Sequence, residues 1–134
     1  TRDLHSVPHR PCSERARLRG AATLPYWGSG TALREFLQVD DLADALVFLM
    51  QHYSGEEAIN VGSGEEVSIR DLAGLIREVT GFSGHLEFDP SKPDGAPRKF
   101  LNTGKLRSLG WTSRIGLEQG LRQTFEWYLD NRNR

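Results

Sequence analysis

Hydrophobic residues recur at the spacing of an α-helix in three stretches of the chain, with polar residues between them. The first predicted helix follows Asp40, a suitable N-cap, and Gly55 comes after its end. The second follows Ser68, which forms a capping-box pattern with Asp71, and Gly81 ends it. The predicted buried faces are Leu42, Ala45, Leu46, Leu49 and Met50 in the first helix, Ile69, Leu72, Ala73, Ile76 and Val79 in the second, and Leu117, Leu121, Phe125 and Tyr128 in a last helix near the C-terminus.

Short segments with strand character lie between and before these helices, bounded by glycine or polar residues. Strands are predicted at Thr23–Trp27, Arg34–Val39, Ala58–Val61 and His85–Phe88, and a short helical turn at Lys105–Leu109. Since strands and helices alternate, the expected fold class is α/β, a small sheet with covering helices.

Composition describes an ordinary globular domain of 134 residues, 37% of them hydrophobic, with a formal net charge of −1. The single cysteine, Cys12, excludes an internal disulfide and a cysteine-based zinc cluster. The longest apolar run, Ala45–Met50, is far shorter than the roughly 20 residues that span a bilayer. These features predict a cytoplasmic protein with no membrane partner, and the charge balance argues against general nucleic-acid binding.

Residues 1–20 differ from the rest of the chain. They contain five arginines against two carboxylates, a net charge of +3, with prolines and no hydrophobic period. This segment is expected to be an irregular, disordered basic arm, and residues 21–134 form the predicted domain. The alternative is an arm that contacts RNA or DNA, whose binding would fall steeply with salt.

Signals of catalysis and of cofactor binding are weak. The Gly62–Gly64 loop follows a predicted strand, but Val67 replaces the third glycine of a dinucleotide motif and Glu65–Glu66 would repel a pyrophosphate. This loop and the Gly28–Gly30 pair are interpreted as ordinary turns. No tyrosine is followed four residues later by a lysine, and the histidines lack metal-ligand spacing. No catalytic, cofactor-binding or metal-binding residue is therefore assigned.

Positive charge and aromatic surface indicate a different kind of site. The loop Ser91–Lys99 contains three cations, and its one carboxylate, Asp94, lies between two prolines. The cations suit phosphate oxygens, and the carboxylate suits sugar hydroxyls. Arg34 is a second candidate for an anion, and Trp27 for a base or sugar ring. The alternatives are a solvated loop, a buried Trp27, and a salt bridge from Arg34 to Glu35, Asp40 or Asp41. The other tryptophans, Trp111 and Trp127, are interpreted as packing residues.

Several motifs resemble known enzymes. Trp27–Thr31 with Arg34–Ala43, and then Ile59–Gly64, are similar to the extended short-chain dehydrogenase/reductase pattern. Asp89–Lys99, followed by Leu106 through Trp111, resembles the GDP-L-fucose synthase family in particular. The resemblance covers residues 18–131 and corresponds to the C-terminal, substrate-binding part of that family, with the N-terminal Rossmann domain missing.

The resemblance implies a function for the whole enzyme. Family members epimerise C3 and C5 of GDP-4-dehydro-6-deoxy-D-mannose and reduce C4 with NADPH, giving GDP-L-fucose, and they act as homodimers. It also implies that Trp27, Arg34, Asp94 and Lys99 contact the GDP-sugar, with Lys99 beside the diphosphate. The catalytic residues and the NADPH site are expected in the missing half, so this chain alone is expected to be inactive and to bind no cofactor.

Two alternatives remain open at this point. One is a non-catalytic module that binds nucleotide-sugars, and the other is a fragment of a related epimerase or dehydratase. The sequence also departs from the family at Asn102, which replaces an aspartate. Because asparagine caps helices about as well, Asn102 is expected to cap the short helix that follows it.

Overall fold

The computed structural model describes residues 23–132. Five strands and four helices occur in this part of the chain. The strands are β1 (Thr23–Trp27), β2 (Leu33–Glu35), β3 (Glu66–Ser68), β4 (His85–Asp89) and β5 (Arg98–Lys99), and the helices are α1 (Val39–His52), α2 (Ile69–Thr80), α3 (Gly104–Ser108) and α4 (Leu117–Asn131).

The strands form two small sheets. In the first, β1 pairs in parallel with β4, and the Tyr26 and Phe88 rings stack with their centroids 5.2 Å apart. In the second, the order is β3-β2-β5, with β3 antiparallel and β5 parallel to β2. The predicted α/β class is confirmed, with two small sheets in place of the one that was expected.

A compact core forms where α1, α3 and the segment after α3 meet. Ala45, Leu106 and Trp111 are buried there, and the Trp111 indole N–H donates to the Asp44 carboxylate at 2.8 Å. The partly buried residues packed against them are Leu37, Phe48, Leu49, Ile59 and Val61. The prediction that Trp111 is a packing residue is therefore confirmed.

Helix ends follow the predicted chemistry in most places. The Ser68 hydroxyl caps α2 by accepting from the Asp71 N–H at 3.0 Å, and Gly81 ends the helix with a φ of 67°. Before α3, the Asn102 side-chain oxygen accepts from the Gly104 N–H at 3.0 Å, but the N-cap position is occupied by Thr103, so Asn102 makes this contact from one residue before the cap. The strand predictions at β1 and β4 and the helical turn at α3 are confirmed as well.

The start of α1 differs from the prediction. The extended segment ends at Glu35 and the helix begins at Val39, so the expected strand Arg34–Val39 is too long. The N-cap is Gln38, whose side-chain oxygen accepts from the N–H groups of Asp40 and Asp41. Asp40 instead occupies the first turn, where its charge suits the helix dipole. A longer amide side chain performs the role that was expected of a carboxylate.

Two further predictions are wrong for the described residues. Ala58–Val61 forms no strand, because no strand of residues 23–132 pairs with it. The predicted buried face of α1 is largely exposed: Ala45 is buried, whereas Leu46 is 52% and Met50 84% exposed. Trp127 on α4 is also exposed, which contradicts its assignment as a packing residue. Within residues 23–132, the side chains of Leu46, Met50 and Trp127 therefore remain more than half exposed.

The predicted basic arm, residues 1–20, lies outside the described residues, and that prediction is not tested. Within residues 23–132, the helices are too short or too polar to cross a bilayer.

Candidate functional site

Strand pairing brings two cations together. In the parallel register of β2 and β5, Arg34 lies opposite Lys99. Directly paired residues project to the same face of a sheet, so the guanidinium and the ammonium group share one face. Arg34 is half-buried and Lys99 is exposed. Neither forms an ion pair with any of the described residues.

The carboxylates near this pair lie on the other face of the sheet, because side chains alternate along a strand. Glu35 is the neighbour of Arg34 in β2, and Glu66 lies opposite Glu35 in β3. Glu66 binds Arg98, the neighbour of Lys99, with N–O distances of 2.6 to 3.0 Å. The Glu66–Arg98 ion pair therefore lies on one face of the sheet, and Arg34 and Lys99 lie on the other.

The alternative salt bridge for Arg34 is not formed among residues 23–132. Glu35 accepts from the backbone N–H groups of Gly64 and Leu101, at 2.6 and 3.1 Å. Asp41 is buried and accepts from the N–H groups of Arg114 and Ile115. The Arg34 guanidinium makes one hydrogen bond, to the carbonyl of Leu33 at 2.6 Å, which leaves donors available for an anion.

Asp94 is fixed by the turn that follows β1. Its carboxylate accepts from the Ser29 N–H at 2.8 Å and from the Ser29 hydroxyl at 2.7 Å. Hydrogen bonds from the Ser29 side chain, then from the backbone of Ser29 and Gly30, hold the pKa of Asp94 below its ordinary value of 3.8. The loop between β4 and β5 is thereby tied to the end of β1.

These contacts bring the four predicted site residues into one region. The Arg34 guanidinium lies beside Gly95, where an added Cβ would be 3.4 Å from it. Gly95 adjoins Asp94, whose partner Ser29 is two residues beyond Trp27. Trp27 is 78% exposed at the end of β1. The alternative of a buried Trp27 is therefore wrong, and its ring remains available to a ligand.

Ser29 and Arg70 were missed in the sequence. Arg70, at the start of α2, donates to the carbonyl of Ser29 at 2.6 Å, and its guanidinium carbon lies 4.1 Å from the Phe88 ring centroid. It thus supports the same turn from the other side. The only sequence signal was the position of Ser29 between two glycines, both of which have positive φ. Nothing local to Arg70 indicated this contact.

Neither glycine loop has the geometry of a pyrophosphate cradle. The Glu35 carboxylate accepts a hydrogen bond from the Gly64 N–H and lies where a side chain at Gly62 would project. The Asp94 carboxylate lies where a side chain at Gly28 would project. Because a carboxylate of the chain itself already lies in each glycine loop, neither loop fits the pyrophosphate of a dinucleotide. Residues 23–132 also contain no cluster of His, Cys, Asp or Glu that could hold a metal ion.

An open depression of about 410 Å³ lies beside the Glu35 carboxylate. It is lined by Glu35, Val61, Gly62, Lys99, Phe100 and Leu101. Arg34 does not line it, so this depression is not shared by the two cations.

Comparisons with known proteins show what the chain is similar to. Residues 10–62 match the NAD dependent epimerase/dehydratase family, a match that begins inside the predicted arm. The chain is 60% identical over 116 residues to "Putative GDP-L-fucose synthase 2" of Arabidopsis thaliana, covering 87% of this chain and 35% of that protein. It is 44% identical to the GDP-L-fucose synthase of Escherichia coli K12, covering 89% of this chain and 40% of that protein.

A solved structure shows the same fold. The GDP-L-fucose synthetase of Naegleria fowleri bound to NADP superposes with a TM-score of 0.83 at 32% identity, over 91% of this chain and 38% of that one. The chain is therefore similar to the NAD dependent epimerase/dehydratase family over residues 10–62, and to a stretch of GDP-L-fucose synthases over most of its length. These similarities confirm the resemblance in its motifs. The chain spans about 35% of the length of the Arabidopsis relative.

Proposed function

We propose that this chain is the substrate-binding portion of a GDP-L-fucose synthase and binds the GDP-sugar through Trp27, Arg34, Asp94 and Lys99. The observation that carries the proposal is the register of β2 and β5, which places Arg34 beside Lys99 with no carboxylate paired to either among the described residues. Two such cations on one sheet face suit the two phosphates of a nucleoside diphosphate.

Each residue has a role that follows from its surroundings. The planar guanidinium of Arg34 can donate two parallel hydrogen bonds to one phosphate, and Lys99 supplies a point charge for the other. The exposed Trp27 ring offers an apolar face to the base or the sugar. Ser29 already uses both oxygens of Asp94, so Asp94 meets a ligand only through its remaining lone pairs.

The reaction itself is assigned to a part of the enzyme outside these residues. NADPH would supply the hydride that reduces C4 of the hexose, and residues 23–132 offer no loop that fits its pyrophosphate. The role of this chain is then to hold the diphosphate and orient the sugar. We propose that the chain alone lacks oxidoreductase activity, and that in a cell it works in the cytoplasm with a Rossmann half as part of a homodimer.

Calorimetry on the 134-residue chain tests the binding site. GDP is expected to bind, and Arg34→Ala and Lys99→Ala are each expected to weaken it by about tenfold or more, since each removes charge-assisted contacts. Arg77→Ala removes an exposed cation at the end of α2, whose side chain forms no hydrogen bond or ion pair with the described residues, and serves as the matched control. Equal GDP affinity in all four proteins would contradict the proposal.

Two further measurements on the same preparation separate the alternatives. Tighter binding of UDP than of GDP would favour a related epimerase or dehydratase. Oxidation of NADPH by the chain with the GDP-keto sugar would refute the assignment of the chemistry to another part of the enzyme.

A further inference from the structure

Strand β5 has very little pairing of its own. It consists of Arg98 and Lys99 alone, and its register with β2 rests on two residue pairs. Before the strand, the Leu33 N–H donates to the carbonyl of Pro97 at 2.8 Å. Both strand residues are exposed. A two-residue edge strand this exposed needs other contacts to keep Lys99 beside Arg34.

Glu35 supplies such a contact on the far side of the strand. One of its oxygens accepts from the Leu101 N–H at 3.1 Å, two residues after Lys99, and the other accepts from the Gly64 N–H at 2.6 Å. The carboxylate therefore joins three segments of chain: β2, the glycine loop before β3, and the residues that follow β5. Gly62 leaves the space that this carboxylate fills.

We infer that Glu35 is a positioning residue for Lys99. It acts from the face of the sheet opposite the cations, and it fixes the backbone after β5 so that the ammonium group stays in register with Arg34. This inference rests on the proposed function only for its effect on ligand affinity. The restraint on the Leu101 backbone is measurable without any ligand.

The direction of the effect distinguishes positioning from simple electrostatics. Removing a negative charge near an anion site strengthens anion binding when the charge acts only through its field. A positioning role predicts the reverse, because the glutamine of Glu35→Gln can accept from only one of the two N–H groups and presents its own donors to the other. Loss of affinity on neutralising Glu35 therefore cannot come from the change in charge.

The first experiment measures GDP affinity by calorimetry in Glu35→Gln and in the matched control Glu65→Gln. Glu65 lies in the loop next to Glu66, is exposed, and its carboxylate has no contact among the described residues. Glu35→Gln is expected to weaken GDP binding by about fivefold to tenfold, which is the effect of one lost hydrogen bond. Glu65→Gln is expected to leave the affinity unchanged or slightly increased.

The second experiment repeats Glu35→Gln in two backgrounds. In Lys99→Ala its effect on affinity is expected to shrink to less than about twofold, whereas in Arg34→Ala it persists, because coupled residues are not additive. An equal loss in both backgrounds would show that Glu35 supports the fold in general and would overturn the inference. Wild-type or tighter GDP binding by Glu35→Gln would overturn it too.

Amide hydrogen exchange gives a readout that needs no GDP. The Leu101 and Gly64 amides are expected to be protected in the wild-type chain, and the protection of at least one is expected to fall in Glu35→Gln. Rapid exchange at Leu101 in the folded wild-type chain would refute the restraint, even if the variants failed to fold. If GDP does not bind but the protection changes as expected, the proposed function fails and the restraint by Glu35 stands.

Discussion

Ser29 holds Asp94 in place and lowers its pKa, through its hydroxyl and its backbone N–H. The carboxylate accepts hydrogen bonds from the Ser29 hydroxyl and N–H, both within 2.8 Å. Its charged form is therefore favoured and its pKa is lowered. Since the folded pKa lies below the ordinary value of 3.8, the resulting stabilisation is complete above that pH and is lost as the pH falls through the folded pKa.

The substitution Ser29→Ala is expected to raise the pKa of Asp94 towards its ordinary value, because the largest cause of the shift is the Ser29 side chain. Carbon-detected NMR titration of the carboxyl groups measures this directly. Ser54→Ala, at an exposed position after α1, is the control and is expected to leave Asp94 unchanged. An Asp94 titration that is identical in wild type and Ser29→Ala would show that the hydroxyl contact does not form in solution.

At the scale of the element, local patterns predicted those parts of the fold that local chemistry determines. The capping box of α2 and the left-handed Gly81 depend on neighbouring residues, and both were found as expected. Strand β1 was also found as predicted, although it forms by pairing with the distant β4. The pairing of β2 with β5 could not be predicted, because it joins Arg34 to a two-residue strand far along the chain. The residue types of the candidate site could be chosen from the sequence, whereas the pairing of Arg34 with Lys99 could not.

The failures at this scale have a common physical reason. Helical spacing shows that the apolar residues of α1 lie on one face, but not whether anything covers that face. Likewise, Ala58–Val61 has the composition of a strand, and a strand forms only where a neighbour accepts its hydrogen bonds. For the described residues, both missing partners are tertiary contacts that no local pattern contains.

The attachment of α1 to the segment before α4 depends on one buried carboxylate. Asp41 is 3% exposed and accepts from the N–H groups of Arg114 and Ile115, at 3.0 and 2.9 Å. Asp41→Ala would leave both donors without that acceptor, and we expect it to lower the free energy of unfolding by about 2–4 kcal/mol. Asp40→Ala, its exposed neighbour, is expected to cost less than about 1 kcal/mol. Urea denaturation of both variants makes the comparison, and equal losses would contradict it.

For the molecule as a whole, the main consequence is an uncovered apolar surface on α1. Val39, Leu46, Val47 and Met50 are all more than half exposed, and Met50 is 84% exposed. Monomeric proteins rarely expose contiguous apolar patches of this kind, and larger ones mark contacts with another surface. We therefore expect the purified chain to self-associate.

Sedimentation velocity over a range of concentrations measures that association. The double variant Leu46→Lys/Met50→Lys is expected to sediment as a monomer with its unfolding free energy little changed, because both positions are exposed. Ser54→Lys/Thr112→Lys adds the same charge at exposed positions outside α1 and is expected to associate as the wild type does. A wild-type chain that is monomeric at every concentration would contradict the expectation.

The short span between Pro97 and Leu101 limits how this region can change in length. The carbonyl of Pro97 is bound by Leu33 and the N–H of Leu101 by Glu35, and only three residues lie between these anchors. Losing or gaining one residue there would shift the strand register by one, so that the Lys99 side chain would point to the face of the sheet opposite Arg34. A single-residue insertion or deletion across residues 97–101 would therefore disrupt the cation pair.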